Sequence, residues 1–109
     1  MEKEEIVAGL TMELRRGTIV LGVLSQLDKP MYGYHLVNEL SAKGIIVETN
    51  TLYPLLRRLE KQGVLESTWE TGEAKPRKYY RRTKLGGEIY ELLREQWLKT
   101  TENMRKLMN

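Results

Sequence analysis

Between Thr51 and Arg82 the chain carries one helical pattern followed at once by two alternating ones, and this order constrains everything around it. Leu52, Leu55, Leu56 and Leu59 fall at i, i+3, i+4 and i+7, which is one buried helix face. With Thr51 as N-cap the helix runs from Leu52 to Gln62 and closes at Gly63. Pro54 then stands at the third helical position, where a missing N–H has no intrahelical partner to lose. The opposite face holds Tyr53, Pro54, Arg57 and Lys61, with Arg58 on its flank. Val64 to Thr71 follows, alternating Leu65, Ser67 and Trp69 with Glu66, Thr68 and Glu70. Gly72-Glu73-Ala74-Lys75-Pro76 reads as a turn, and Arg77 to Arg82 alternates again as the return strand. A basic helix with an aromatic on its outer face thus leads directly into a hairpin with a cationic tip, which is a wing.

The flanking segments read as helices. The first extends from near Glu5 or Met12 to Leu27, with an apolar stripe of Leu10, Leu14, Thr18, Leu21 and Leu24, and breaks at Asp28-Lys29-Pro30. A second spans roughly Tyr34 to Lys43 and ends at Gly44, and Ile45-Ile46-Val47 reads as a short β-rich run. Thr83 caps a last helix that reaches about Leu107 and keeps Leu85, Ile89, Leu92, Leu93, Trp97, Met104 and Leu107 on an apolar stripe. Such a helix is about 35 Å long, more than a core this small can cover, so its C-terminal half needs a partner surface. A second copy of the chain is the simplest one.

Charge and composition narrow the function. The 109 residues carry a net charge of +3, but residues 57–84 hold nine Lys/Arg against four Glu, a local +5 in a chain whose remainder is −2. A local basic excess is the footprint of a nucleic-acid or phosphate binder, set against the plainer reading of a solvated surface. There is no Cys, one His (His35), one Asp (Asp28) and three Ser, so thiolate metal sites and disulfides are excluded and a hydrolytic triad is all but excluded. No metal ligand set and no cofactor motif stands in the sequence. The longest apolar run, Ile19 to Leu24, is far short of a membrane span, and the acidic start Met1-Glu2-Lys3-Glu4-Glu5 is unlike a signal peptide. A cytoplasmic protein is expected.

Helix, helix, outward-facing helix and hairpin form the winged variant of the helix-turn-helix, here mostly α with a small β-hairpin and a long C-terminal dimerisation helix. At this point the sequence also resembles the PadR family of bacterial transcriptional regulators over nearly its whole length. The matching segments are residues 14–18 (Leu-Arg-Arg-Gly-Thr), Tyr32-Gly33-Tyr34, the string TLYPLLRRLEKQGVLES at 51–67, Trp69, PRKYYRRT at 76–83, and Gly86. The 51–67 string is the most specific of them. One departure is Arg82, where the family usually has an apolar residue before the Thr. The resemblance implies a homodimer that binds a palindromic operator, usually as a repressor, with residues 1–83 as the DNA-binding domain and 84–109 as the dimerisation helix. It also implies, by similarity to short members that sense planar aromatic drugs, a role for Trp97 in gripping such an effector at the dimer interface, with Leu14 and Leu93 as neighbours. Val7 and Met104 are further pore or interface candidates.

The residues divide accordingly. Arg57 is placed to reach a guanine edge or a phosphate, Tyr53 a phosphate or a thymine methyl, and Asn50 and Thr51 a phosphate. Tyr32, Arg58 and Lys61 complete the helix-side set, and Lys75, Arg77 and Lys78 form the wing set, against a plainer role as edge-strand protection. Of Tyr79 and Tyr80, the second is expected in the core. Ile89, Leu93, Trp97, Met104 and Leu107 are the dimer-interface candidates, and Trp97 reads equally as a packing anchor. His35 reads as a surface residue. A winged-helix adaptor that binds protein and not DNA is the alternative; an enzyme ranks third, because no nucleophile–base pair or phosphate loop is present.

Overall fold

The computed structural model describes residues 1–72 and 75–109; Glu73 and Ala74, in the expected turn, lie outside the described residues. Four helices and three strands follow in the order α1 (Lys3–Gln26), β1 (Met31–Tyr32), α2 (Gly33–Ala42), α3 (Thr49–Lys61), β2 (Leu65–Glu70), β3 (Arg77–Arg82) and α4 (Lys84–Met108). The strands form an antiparallel sheet ordered β1-β3-β2. Its register sets Ser67 opposite Tyr80 and Trp69 opposite Lys78 on one face, and Thr68 opposite Tyr79 on the other.

The core is small and lies where α1, α2, α3 and the wing base meet. Val23, Leu24, Leu27, Leu36, Leu52 and Leu56 are fully buried, with Leu40, Leu59, Val64, Leu65 and Tyr80 beside them. The leucine stripe of α3 therefore faces inward as its spacing requires, although Leu55 sits half-buried at its edge. Tyr80 is a core residue, and Tyr79 lies on the opposite sheet face.

Three expectations are corrected. The N-cap of α3 is Glu48, not Thr51: its carbonyl accepts from the N–H groups of both Thr51 and Leu52, at 3.0 and 2.9 Å. The helix thus starts three residues early, and Pro54 lies inside it, so Asn50's carbonyl has no i+4 N–H to accept from. Residues 45–47 form no strand. They bridge two helices, with Ile45 N–H spent on the Leu40 carbonyl at 2.8 Å and only Val47 buried. The third strand is instead Met31–Tyr32, too short to show any alternation in the sequence.

The base of the wing explains the arginine at position 82. Its guanidinium donates to the Leu24 carbonyl at 3.0 Å and lies 4.8 Å from the Tyr90 ring centroid. Its backbone N–H reaches the Leu27 carbonyl at 2.8 Å. A cation thus meets the carbonyl end of α1, whose own last turn carries no basic residue. Thr83 caps α4 as expected, accepting from Gly86 N–H at 2.9 Å while its hydroxyl donates to the Gly63 carbonyl at 2.7 Å.

Only the second half of α1 reaches the core. Leu10 and Leu14 remain exposed, and the outer length of α1 runs beside α4, so the molecule extends over 53 × 34 × 24 Å. Among the described residues no helix is long and apolar enough to cross a membrane.

The two adjacent glycines of α4 differ sharply. A side chain at Gly86 would collide with the Val64 carbonyl, whereas one at Gly87 would meet nothing. Gly86→Ala should therefore lose about 1–3 kcal/mol of stability, and Gly87→Ala should gain about 0.5–1 kcal/mol from helix propensity. Thermal melts of the two variants should move in opposite directions.

Candidate nucleic-acid interface

The outer face of α3 and the inner face of the wing enclose a cleft of about 380 Å³. Tyr53 and Arg57 come from α3, Arg77 and Lys78 from β3, and Tyr32 from β1, so five of the expected residues meet here. Trp69, Pro76, Gly33 and Tyr80 complete the wall. Arg77 stacks over the Tyr32 ring at 4.6 Å, and Tyr32 meets Tyr79 edge-on at 5.5 Å. The cleft is cationic at its rim and aromatic along its walls, which suits a phosphate backbone with sugar or base surface beside it.

The other candidates stand apart from this cleft. Thr51 and Arg58 line a separate groove with Met12, Arg16, Ile19 and Pro54, on the side of α3 that faces α1. Asn50, Lys61 and Lys75 are exposed around the two ends of the interface. His35 is exposed and pairs with Glu39 at 3.5 Å.

Among the wing cations Lys78 is paired to α3, whereas Arg81 pairs with Glu66 on the neighbouring strand. The Lys78 ammonium lies 3.2 Å from Glu60 Oε1, in the last turn of α3, and Ser67 on β2 donates to the other carboxylate oxygen. The Ser67 hydroxyl holds the Glu60 carboxyl below its ordinary range against the opposing effect of burial, and the Lys78 cation adds to the lowering. Burial works against the charge on Lys78, but Glu60 and Tyr80 outweigh it and hold the amine above its ordinary range. Glu60 carried no expectation in the sequence, where it reads as one acid among basic neighbours. Trp69 was legible only as a member of the alternation that also places Leu65 and Ser67.

A second groove, of about 220 Å³, lies between α1 and α4. Leu14, Leu93 and Trp97 all line it, with Gly17, Thr18 and Leu21 of α1 opposite. Of the interface candidates, Ile89 and Leu93 pack against the core, while Trp97, Met104 and Leu107 are exposed by 45%, 43% and 79%.

Gly33 has a purely steric role. Its φ is ordinary, yet a Cβ there would stand 2.6 Å from Tyr53 Cζ and Oη. Gly33→Ala should leave thermal unfolding nearly unchanged and displace the Tyr53 ring, which its ring-proton chemical shifts would record.

Comparison with known proteins agrees with this architecture. Residues 20–92 match the model of the transcriptional regulator PadR-like family. The transcriptional regulator Rv3488 of Mycobacterium tuberculosis is 37% identical over 75 residues, which cover 68% of this chain and 70% of that protein. The crystal structure of a PadR family transcriptional regulator from Eggerthella lenta is 50% identical and superimposes with a TM-score of 0.91 over 97% of this chain and 95% of its own. A transcriptional regulator from Clostridium thermocellum, 32% identical, superimposes at 0.80 over 86% of this chain and 96% of its own. The chain belongs to the PadR-like family of transcriptional regulators, which are DNA-binding proteins and not enzymes.

Proposed function

We propose that the chain acts in the cytoplasm as a homodimeric repressor of a palindromic operator, with residues 1–83 binding double-stranded DNA and residues 84–109 making the dimer. The observation that carries this reading is the cleft that unites Tyr53 and Arg57 of α3 with Arg77 of the wing, within the +5 segment. In the dimer two α3 helices enter successive major grooves about 34 Å apart, and the two wings hold the adjacent backbone. Arg57 reads a guanine edge or clamps a phosphate, Tyr53, Asn50 and Thr51 fix the register, and Lys75 and Arg77 supply phosphate contacts. Tyr32, Arg58 and Lys61 add contacts around them.

Support for the dimer is the apolar surface that the single chain leaves uncovered on α1 and α4. Leu10, Leu14, Leu92, Trp97 and Leu107 are each between 45% and 79% exposed, on two helices that run side by side. Burying that surface against a second copy is the closed, symmetric solution. A planar aromatic effector held by Trp97, Leu14 and Leu93 in the α1–α4 groove would alter the packing of the two α4 helices and spoil the spacing of the α3 pair. It shifts that equilibrium only by its differential affinity for the two dimer shapes.

Arg57→Ala should lose about 1–3 kcal/mol of operator affinity without unfolding, confined to preferred sequences if it reads a guanine edge and shared by every duplex if it clamps a phosphate. Lys75→Ala should weaken binding to every duplex alike and flatten the salt slope by about one unit. Fluorescence-anisotropy titrations over a salt series separate the two, and a preferred sequence bound by Arg57→Ala as well as by wild type would refute the α3 assignment. For the effector, planar aromatic compounds should quench Trp97 saturably, and Trp97→Ala, with Trp69 as the remaining fluorophore, should lose that response. Quenching of equal amplitude in the variant would place the ligand elsewhere.

A further inference from the structure

Glu60 is a carboxylate in an unfavourable place. It sits in the last turn of α3, where the helix dipole disfavours an anion, and within the most basic stretch of the chain. If that stretch meets DNA, phosphate repulsion adds to the cost. Yet both of its oxygens are engaged, one by the Ser67 hydroxyl on β2 and the other by the Lys78 ammonium on β3, at 3.2 Å. Among the described residues this is the one ion pair that ties a helix to the sheet. The others lie within one helix or, for Arg81 and Glu66, between neighbouring strands. It is also the least exposed, with side chains 29% and 32% accessible against 37% or more for the rest. Lys78 is braced from below as well, its ammonium 5.2 Å from the ring of the core residue Tyr80.

We propose that Glu60 is a positioning residue for DNA discrimination, locking both strands of the wing onto α3 and withholding Lys78 from sequence-independent contact with phosphate. This rests on the DNA-binding reading above and goes beyond it. An unrestrained lysine beside the cleft can reach phosphate on a duplex in which α3 is not seated, which adds affinity for random DNA above all and so narrows its ratio to operator. A wing fixed relative to α3 engages the backbone only when α3 is seated in its groove. The acid thus lowers affinity for wrong sequences and widens the margin between right and wrong ones.

The test compares wild type, Glu60→Gln, Lys78→Met and the double variant. Each is titrated over a salt series with the duplex that wild type selects from a random library and with a scrambled duplex of the same length and composition. Glu60→Gln should bind the scrambled duplex more tightly, with the salt slope steeper by about one unit, and its selected-to-scrambled ratio should fall about tenfold. Adding Lys78→Met should return the scrambled-duplex affinity and slope to the wild-type values.

Glu60→Gln that tightens both duplexes by one factor would make the acid a general electrostatic brake and overturn the proposal. So would Lys78→Met alone flattening the slope on both duplexes, because Lys78 would then already lie on phosphate. Should Glu60→Gln melt below the assay temperature, Ser67→Ala removes one arm of the lock without changing charge. Its ratio should fall while the slope stays constant, and an unchanged ratio would overturn the proposal. A wild type from which no preferred duplex can be selected refutes the DNA-binding reading itself, and this proposal with it. A wild type that discriminates, beside a Glu60→Gln that discriminates equally, refutes the lock alone.

Discussion

The carbonyl of Val64 is the point on which the wing and the last helix both depend. It accepts from the Thr83 N–H at 3.1 Å and shares the Thr83 hydroxyl, at 3.2 Å, with the nearer Gly63 carbonyl, and the backbone of Gly86 lies directly across it. Val64 itself follows Gly63, whose φ of 79° turns the chain out of α3 and into β2. One oxygen thus joins the end of α3, the return of the hairpin and the start of α4. A residue larger than glycine at position 86 separates these three, which is why two adjacent glycines in one helix have opposite tolerances.

The wing is attached a second time through Arg82. Its contacts with the Leu24 carbonyl and the Tyr90 ring connect the end of α1, the end of β3 and the first turns of α4. An apolar residue there would fill space but leave the α1 carbonyl without that donor. The arginine therefore exchanges some hydrophobic burial for a cap and a cation–π contact, and the wing base stays closed. On the other side of the hairpin, Glu60 makes the third attachment. The cleft between α3 and the wing is bounded by these fastenings, so its width follows from polar contacts around an otherwise ordinary leucine core.

Much of the fold was legible because periodicity speaks clearly where an element is long and one-sided. Leu52, Leu56 and Leu59 announced α3, the alternation at 65–70 announced β2, and Thr83 announced the start of α4. Failures came where local signals compete. Thr51 has good capping chemistry, but the Glu48 carbonyl begins the helix earlier and the helix accepts a proline inside. Ile45-Ile46-Val47 has strand composition, yet no neighbouring strand lies within reach to pair with it. Met31–Tyr32 pairs with β3 although two residues carry no pattern. For the candidate cleft, residue type picked out Tyr53, Arg57 and Arg77, aromatic and cationic side chains on an outward face, and all three line it. It could not find Glu60 or Gly33, whose importance lies in what they touch, seven or more positions along the chain.

The closeness of β3 and α4 has a mechanical consequence. Arg82 ends the strand and Lys84 begins the helix, so Thr83 is a one-residue joint between two stiff arms. With 25 residues, α4 is about 37 Å long, while the six-residue strand is about 20 Å. For a rotation shared by both arms about that joint, a displacement at the far end of α4 reaches the wing tip at roughly half its size. Under such a rotation a large movement at the distal end of α4 becomes a smaller one where the wing lies.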